Sequence, residues 1–474
     1  MTVKLRKPIL LGGISLSFGL WLWQNFGQSI LEVGELSVVG AIALGTGWWY
    51  VQQKLSKPQL SPTVLLPLNQ EKVAKAIALA QNTITSLEIE APAQDCCGLK
   101  QQLAALPALC KRQTLQIAVT GGKKVGKTTL IQLLENAANI CLVETPALFT
   151  ATDTQEKTAL KLATAADLVL FMVTGDLTES EWQVLQQLVA EHQQIILILN
   201  KQDQYVPEER AVIWQQLKSR VKEIIPAANI VAIAAAPTGV KVRQHQIDGA
   251  TKEWMEKQGS ELGNLGDRLS EILTKEKEQL LLGTTWRTAI KLEQEAKNIL
   301  NAVRKVRALP MIEKYQWLAA ISTFANPVAA LDLLATAAIN TQMLVDLSGI
   351  YQQKLSLSQG QTGSVTIAKL MVQLGLVELS TQTIGSILKT NAITYVAGAT
   401  VQGVSAAYLT RIAGLSLIEY FQEQETCTEG FNLEKLGAKL QKVFQENQRT
   451  AFLQGFIQQA LTKLTPNKNI MVDG

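Results

Sequence analysis

Apolar and polar positions divide the chain into segments of different character. From Thr114 to about Lys275, short apolar runs alternate with runs of helical spacing. Leu115-Gln116-Ile117-Ala118-Val119 reads as a buried strand. Leu130-Ile131-Gln132-Leu133-Leu134 reads as the inner face of a helix over Thr128–Ala138. Ile140–Val143, Leu168–Val173, Ile195–Leu199 and Ile230–Ile233 are further apolar runs of strand length, and Glu179–His192 is a helix with Trp182, Leu185 and Leu188 inward. Strands apolar at nearly every position, separated by helices, predict a parallel α/β sheet covered on both faces, here over residues 113–275.

The C-terminal stretch, 276–474, reads as all helix. Glu276–Arg307 is long, charged and amphipathic; Tyr315–Leu331 carries no charge and is broken at Asn326-Pro327. Val328–Leu347 puts Asp332, Thr336 and Asn340 on one face at i, i+4 and i+8. Thr390–Thr410 contains Ala399-x-x-x-Gly403-x-x-x-Ala407, a small-residue seam that lets helices approach closely. These runs are rich in Ala, Thr and Ser, so a buried bundle and membrane insertion both fit them.

At the other end, Pro8–Trp23 has no charge, and Leu31–Val51 has only Glu32 and Glu35. A span needs about 17–25 mostly apolar residues, so the first run is at the short limit and the second is sufficient. Lys4, Arg6 and Lys7 precede the pair and Lys54 and Lys57 follow it, which predicts both ends on the cytoplasmic side. Trp21, Trp23, Trp48, Trp49 and Tyr50 stand where interfacial aromatics belong. No small-x-small cleavage pattern follows the first run, which favours a retained hairpin anchor over 1–53 instead of a signal peptide. Residues 54–112 combine a Pro-rich spacer (Lys57-Pro58-Gln59-Leu60-Ser61-Pro62, then Pro67) with helices at Glu71–Ile89 and Gly98–Leu106. The second helix is expected to stop at Pro107, and both to pack on or beside the sheet domain.

Composition agrees with this division. A chain of 474 residues predicts two or three domains. Charged residues make up 18%, against about 25% in ordinary soluble domains, which leans toward a membrane protein. A net charge of +4 is too small to argue for nucleic acid. Cys96, Cys97, Cys110, Cys141 and Cys427 form no C-x-x-C pair, which suits a reducing compartment without structural zinc. His192 and His245 cannot make a metal cluster between them.

Two loops carry chemistry. Gly121-Gly122-Lys123-Lys124-Val125-Gly126-Lys127-Thr128-Thr129 lies between a strand and a helix and matches G-x-x-x-x-G-K-[ST]. Gly121 and Gly126 let backbone N–H groups curl inward at a helix start whose dipole favours anions. Lys127 reaches phosphate oxygens and the Thr128 hydroxyl ligates Mg²⁺. Asn200-Lys201-Gln202-Asp203 ends a buried strand, where the Asp203 carboxylate can accept the N1 and N2 protons of guanine, a pattern adenine does not offer. Ala234-Ala235-Ala236 then forms a small-residue loop under the base.

These motifs resemble the Era-like branch of the translation-factor GTPases, which implies GTP or GDP with Mg²⁺ as ligands. Departures are specific. The family's Asp-x-x-Gly loop is Glu144-Thr145-Pro146-Ala147 here, so the mobile glycine is lost while Glu144 can still hold a metal-bound water. Between Lys127 and Glu144 there is room for one helix and one strand only, and the first switch has no residues to form from. Lys123 and Lys124 replace positions commonly small and Asn; Lys124 is either a tethered cation near the phosphates or, like Lys123, solvent-facing. Lys124 and Glu144 are therefore the candidate catalytic residues. The C-terminal stretch resembles the YcjF-type domain of unknown function, also found in cyanobacterial proteins, through Phe324-Ala325-Asn326-Pro327, Leu331-Asp332, Gln342-Met343, Leu347-x-x-x-Tyr351 and Gly403-Val404-Ser405-Ala406-Ala407-Tyr408-Leu409-Thr410-Arg411. The expected protein is a membrane-integral, cytoplasm-facing GTP-binding switch, with slow or absent hydrolysis, a lipid bilayer contact, and a protein effector or second copy as partner. A pseudo-GTPase scaffold and a membrane-remodelling or pore-like assembly stay open beside it.

Overall fold

The computed structural model describes residues 68–464 apart from 136–139, 150–152, 246–250, 257, 326–328, 354, 391–397 and 424–431. The expected hairpin anchor at 1–53, the Pro-rich spacer and the Asn326-Pro327 break lie outside the described residues, as do the side chains of Asp332 and Thr336.

Five strands form one parallel sheet: β1 (Leu115–Gly121), β2 (Ile140–Glu144), β3 (Leu168–Val173), β4 (Ile195–Leu199) and β5 (Ile230–Ala232), in the order β2-β1-β3-β4-β5. β3 and β4 are buried at every position because both of their faces are covered. Val169, Phe171, Val173, Leu197 and Leu199 point to one face. There they meet α4 (Asp153–Ala165), α5 (Glu179–Ala190) and α6 (Pro207–Val221). Leu168, Leu170, Met172, Ile196 and Ile198 point to the other, against α3 (Lys127–Leu134) and α7 (Gly263–Glu271). β2 pairs directly and in parallel with β1, Leu115 opposite Ile140 through Val119 opposite Glu144. Among the described residues no antiparallel edge strand precedes it, in keeping with the short Lys127–Glu144 interval. After β5, an antiparallel ribbon of β6 (Val240–His245) and β7 (Thr251–Glu256) stands apart from the main sheet; the apolar periodicity gave no sign of it.

A π-helical turn at Ile272–Glu276 joins α7 to α8 (Lys277–Ala325), a helix of 49 residues and thus about 74 Å long. Three separate cores bury successive stretches of α8. Leu280 and Leu281 belong to the sheet core. Ala289, Leu292, Ala296 and Leu300 are covered by α1 (Gln70–Glu90) and α2 (Cys97–Cys110). The expected place of α1 and α2, on or beside the sheet domain, takes a definite form: their apolar stripes (Ile84, Leu87, Leu99, Leu106) cover α8. Pro107 does not stop α2, which runs on to Cys110. The proline forfeits one backbone bond, and the adjacent fully buried Leu106 together with the Cys110 Sγ–Thr285 Oγ1 contact at 3.2 Å outweighs that loss.

The last stretch of α8, with Ala308, Ile312, Tyr315 and Ala320, enters a helical bundle. Its other members are α9 (Ala329–Ile350), α10 (Leu357–Gln373), α11 (Leu376–Thr390), α12 (Gly398–Glu423), α13 (Leu433–Asn447) and α14 (Thr450–Leu464). Gly403 and Ala407 of the small-residue seam are buried in it. Thr400–Glu423 of α12 is long and apolar enough to cross a membrane, as are α10 and α11 taken as one bent span, but 67% of the α12 window is buried inside the bundle.

Polar joints lock α8 to both neighbours. Arg287 donates to the carbonyl oxygens of Ala166 (2.9 Å) and His192 (3.2 Å) at the lower edge of the sheet. Burial pushes its guanidinium down to about 10, against the pull of the Asp167 and Glu191 carboxylates. At the far end of α1, Glu90 accepts from Arg304 Nη2 (2.6 Å), from Arg307, and from Gln352 Nε2 of the bundle (2.8 Å).

Candidate functional site

The site lies at the carboxyl ends of β1, β3 and β4, where the chain leaves β1 for β2 on one side while β3 flanks it on the other. Such a reversal in strand order opens a crevice above the sheet. Gly121 and Gly126 shape the loop that lines it. Gly121 has φ +146°, and a Cβ there would lie 2.4 Å from the Met172 carbonyl oxygen. Gly126 has φ +101° at the cap of α3, and a Cβ there would lie 2.3 Å from Asn200 Nδ2. Both positions exclude side chains.

Lys127 is 7% exposed and donates to the carbonyl oxygens of Gly121 (3.0 Å) and Gly122 (2.9 Å), so its ammonium lies inside the curl of the loop. Burial lowers its pKa from the ordinary lysine value, and the Glu144 carboxylate opposes that shift. The Thr128 hydroxyl bonds to Glu144 at 2.9 and 3.1 Å from the two carboxylate oxygens. One hydroxyl beside one carboxylate, with phosphate oxygens to complete the set, fits a hard divalent cation such as Mg²⁺. Lys123 and Lys124 are exposed, and Lys124 takes a left-handed backbone at φ 62°. Val125 is buried, Gly122 likewise, and Thr129 is half-buried.

Thr145 binds the loop to β1, with its N–H on the Val119 carbonyl (3.1 Å) and its hydroxyl on Thr120 Oγ1 (2.9 Å). Two residues on, Ala147 holds the place of the glycine that the resemblance leads one to expect, and the Leu148 N–H returns to the Gly121 carbonyl (3.1 Å).

Asn200, 2% exposed, ties the two loops together. Its Nδ2 donates to the Val125 carbonyl (2.8 Å) and its Oδ1 accepts the Ala235 N–H (3.0 Å). Lys201 adopts a left-handed turn at φ 62° that swings the chain over this knot. Asp203 follows. Its Oδ2 accepts both the N–H (2.9 Å) and the hydroxyl (3.2 Å) of Thr238, while its Oδ1 is shielded from solvent and has no partner among the described residues. Ala234 and Ala235 are buried, and the backbone of Ala234 exchanges two bonds with Glu261 (3.0 and 2.9 Å). The structure therefore gathers the two predicted motifs and the alanine loop into one crevice. Sequence reading missed Thr238 and Glu261. Neither belongs to a motif, and only the fold brings them to the alanine and aspartate loops.

A parallel sheet with a Gly-x-x-x-x-Gly-Lys-Thr loop between its first strand and the following helix defines the P-loop class of nucleotide-binding folds. Residues 287–449 match the family model described as a domain of unknown function, DUF697, which covers most of α8 and the bundle. No curated protein matches the chain. Among solved structures, LeoA, a bacterial dynamin GTPase from ETEC, aligns over 84% of this chain and 100% of its own, at 14% identity and a TM-score of 0.28. A LAO/AO transport system kinase aligns over 60% of this chain and 99% of its own, at 13% identity and a TM-score of 0.27. At these values neither alignment bears on fold or function, and the class rests on sheet order and loop geometry.

Proposed function

We propose that the chain is a membrane-anchored guanine-nucleotide-binding protein whose helical region responds to the bound nucleotide. The observation that carries the reading is Asp203 Oδ1. A shielded carboxylate oxygen without a donor is costly to keep, and the N1–H and N2–H of a guanine supply what it lacks. Asn200 holds that carboxylate's loop against the phosphate loop, so one ligand with a purine base and a phosphate tail engages both.

In this reading Gly121 through Thr129 wrap the phosphates with backbone N–H groups, and Lys127 exchanges its bonds to the Gly121 and Gly122 carbonyls for phosphate oxygens. Thr128 and Glu144 hold Mg²⁺, which neutralises phosphate charge when bound. Asn200, Lys201, Asp203, Ala234 and Ala235 form the base pocket. Slow hydrolysis follows in this reading from Ala147 in the place of the mobile glycine and from the short Lys127–Glu144 interval, which leaves the first switch no residues to form from. A pseudo-GTPase scaffold, in which nucleotide serves only the fold, is the second reading, and Ala147 in the place of the mobile glycine favours it. The state of the crevice reaches the bundle through α8, which is rooted in the sheet core and continues without a break into the bundle core. Membrane attachment by residues 1–53, with the sheet domain on the cytoplasmic side, is supported by the two apolar runs and their flanking positive charges.

Competition of GTP, GDP and ATP against a fluorescent GTP analogue, with full-length protein in detergent, tests the binding claim. The expected result is preference for guanine, and Asp203→Asn shifts that preference toward xanthine nucleotides, which carry an acceptor where guanine has its amino donor. Equal affinity for ATP and GTP overturns the reading. Fusing residues 1–60 to a soluble reporter tests the anchor, and a reporter released by alkaline carbonate refutes it.

A further inference from the structure

We infer that Thr238 is a positioning residue that sets the base selectivity of this crevice by orienting the Asp203 carboxylate; the inference rests on the guanine reading above. A carboxylate has two oxygens with about four lone-pair sites. In Asp203 they are used unequally. Oδ2 takes both donors of Thr238, its N–H at 2.9 Å and its hydroxyl at 3.2 Å, while Oδ1 stays shielded and has no partner among the described residues. One oxygen is pinned by the protein and the other is left for the ligand.

The neighbouring loop cannot do the same. Ala234-Ala235-Ala236 has no side-chain donor, the Ala234 N–H is spent on the Glu261 carbonyl, and the Ala235 N–H is spent on Asn200 Oδ1. Thr238 is itself steadied from behind. The β6–β7 ribbon starts two residues later, with Val240 paired to Glu256. A Cβ on the intervening Gly239 would come within 3.1 Å of the Glu256 carbonyl oxygen, so the backbone passes close against the ribbon's end. The ribbon, which stands apart from the main sheet, thus has a definite use. It presents Thr238 to Asp203, 35 residues away along the chain.

Removing the hydroxyl while keeping the N–H frees the carboxylate to rotate, and Oδ1 no longer meets both guanine donors at one place. The test compares GTP with inosine triphosphate, which lacks the N2 amino group, on full-length wild type, Thr238→Val and Thr238→Ser. A charge-assisted hydrogen bond near solvent corresponds to roughly a tenfold effect. The preference for GTP over inosine triphosphate is expected to fall about three- to tenfold in Thr238→Val, with affinity for inosine triphosphate, which keeps the N1–H, falling by less than affinity for GTP. Thr238→Ser, which retains the hydroxyl, is expected to restore the preference. Because Thr238 is exposed, neither variant disturbs a core, and inosine triphosphate binding reports that the loop is intact. An unchanged preference in Thr238→Val, or a Thr238→Ser variant that behaves like Thr238→Val, overturns the assignment of Thr238 and leaves the guanine reading standing. A wild type that does not distinguish GTP from ATP removes the guanine reading itself.

Discussion

Replacing Asn200 by alanine should damage the domain before any ligand is added. The side chain is 2% exposed and bridges the Val125 carbonyl at 2.8 Å and the Ala235 N–H at 3.0 Å, in residues that are themselves 6% and 4% exposed. Alanine leaves a buried carbonyl and a buried amide without that partner. Each orphaned group costs about 1–3 kcal/mol, and small backbone shifts recover part of it, so the loss is about 2–4 kcal/mol. For a domain of this size each kcal/mol moves the midpoint by roughly 2–4 °C, which gives a drop of roughly 5–15 °C. Differential scanning calorimetry of the full chain is the assay, because several cores unfold and, on the proposed function, only the sheet domain's transition should rise when GTP is added. That transition should fall in Asn200→Ala without nucleotide, and its rise on adding GTP should shrink, since the two loops are no longer held together. Asn200→Asp keeps the acceptor for Ala235 but turns an oxygen toward the Val125 carbonyl, and should lose at least as much. A midpoint within about 2 °C of wild type for Asn200→Ala, read without nucleotide, refutes the reasoning, since two buried bonds cannot both be worth so little.

Other expectations follow from the same geometry. Lys127→Ala removes a charge-assisted bond worth about 1.5–3 kcal/mol, so GTP affinity should fall roughly ten- to a hundredfold by fluorescence titration, and wild-type affinity in that variant would move the site elsewhere. Single-turnover hydrolysis of labelled GTP should proceed at or below about 10⁻² per second without a partner; a rate near one per second would show that Glu144 and the short loop are competent, and Lys124→Ala would then test the tethered cation. Glu90 is held below the ordinary carboxylate range: burial alone would raise it, but its bonds and attraction to Arg304 and Arg307 prevail. Its contribution is therefore present at neutral pH and is lost as acid protonates it, so wild type and Glu90→Gln should differ in stability by about 1–2 kcal/mol near pH 7 and converge in acid. A gap that persists in acid would show that Glu90 acts through packing alone.

The sequence by itself determined the strands of the main sheet and the two motif loops, though not the β6–β7 ribbon. Leu168–Val173 and Ile195–Leu199 are strands over the residues their apolar runs mark, because a strand covered on both faces must be apolar throughout. Gly121, Gly126 and Lys127 were legible because the loop's curvature admits no Cβ at either glycine and its interior needs a cation. The short interval between Lys127 and Glu144 left room for one helix and one strand, and the fold sets that strand, β2, in parallel against β1. What covers each amphipathic face was a tertiary decision. Periodicity shows that Ile84 and Leu87 share a buried side, but not that α8 lies over them instead of the sheet. Pro107 remains inside α2 because the neighbouring Leu106 is fully buried, a gain that no local preference contains. The contact between Thr238 and Asp203 was equally invisible, since a hydroxyl in a loop has no periodicity and its partner is chosen by where the fold sets it down.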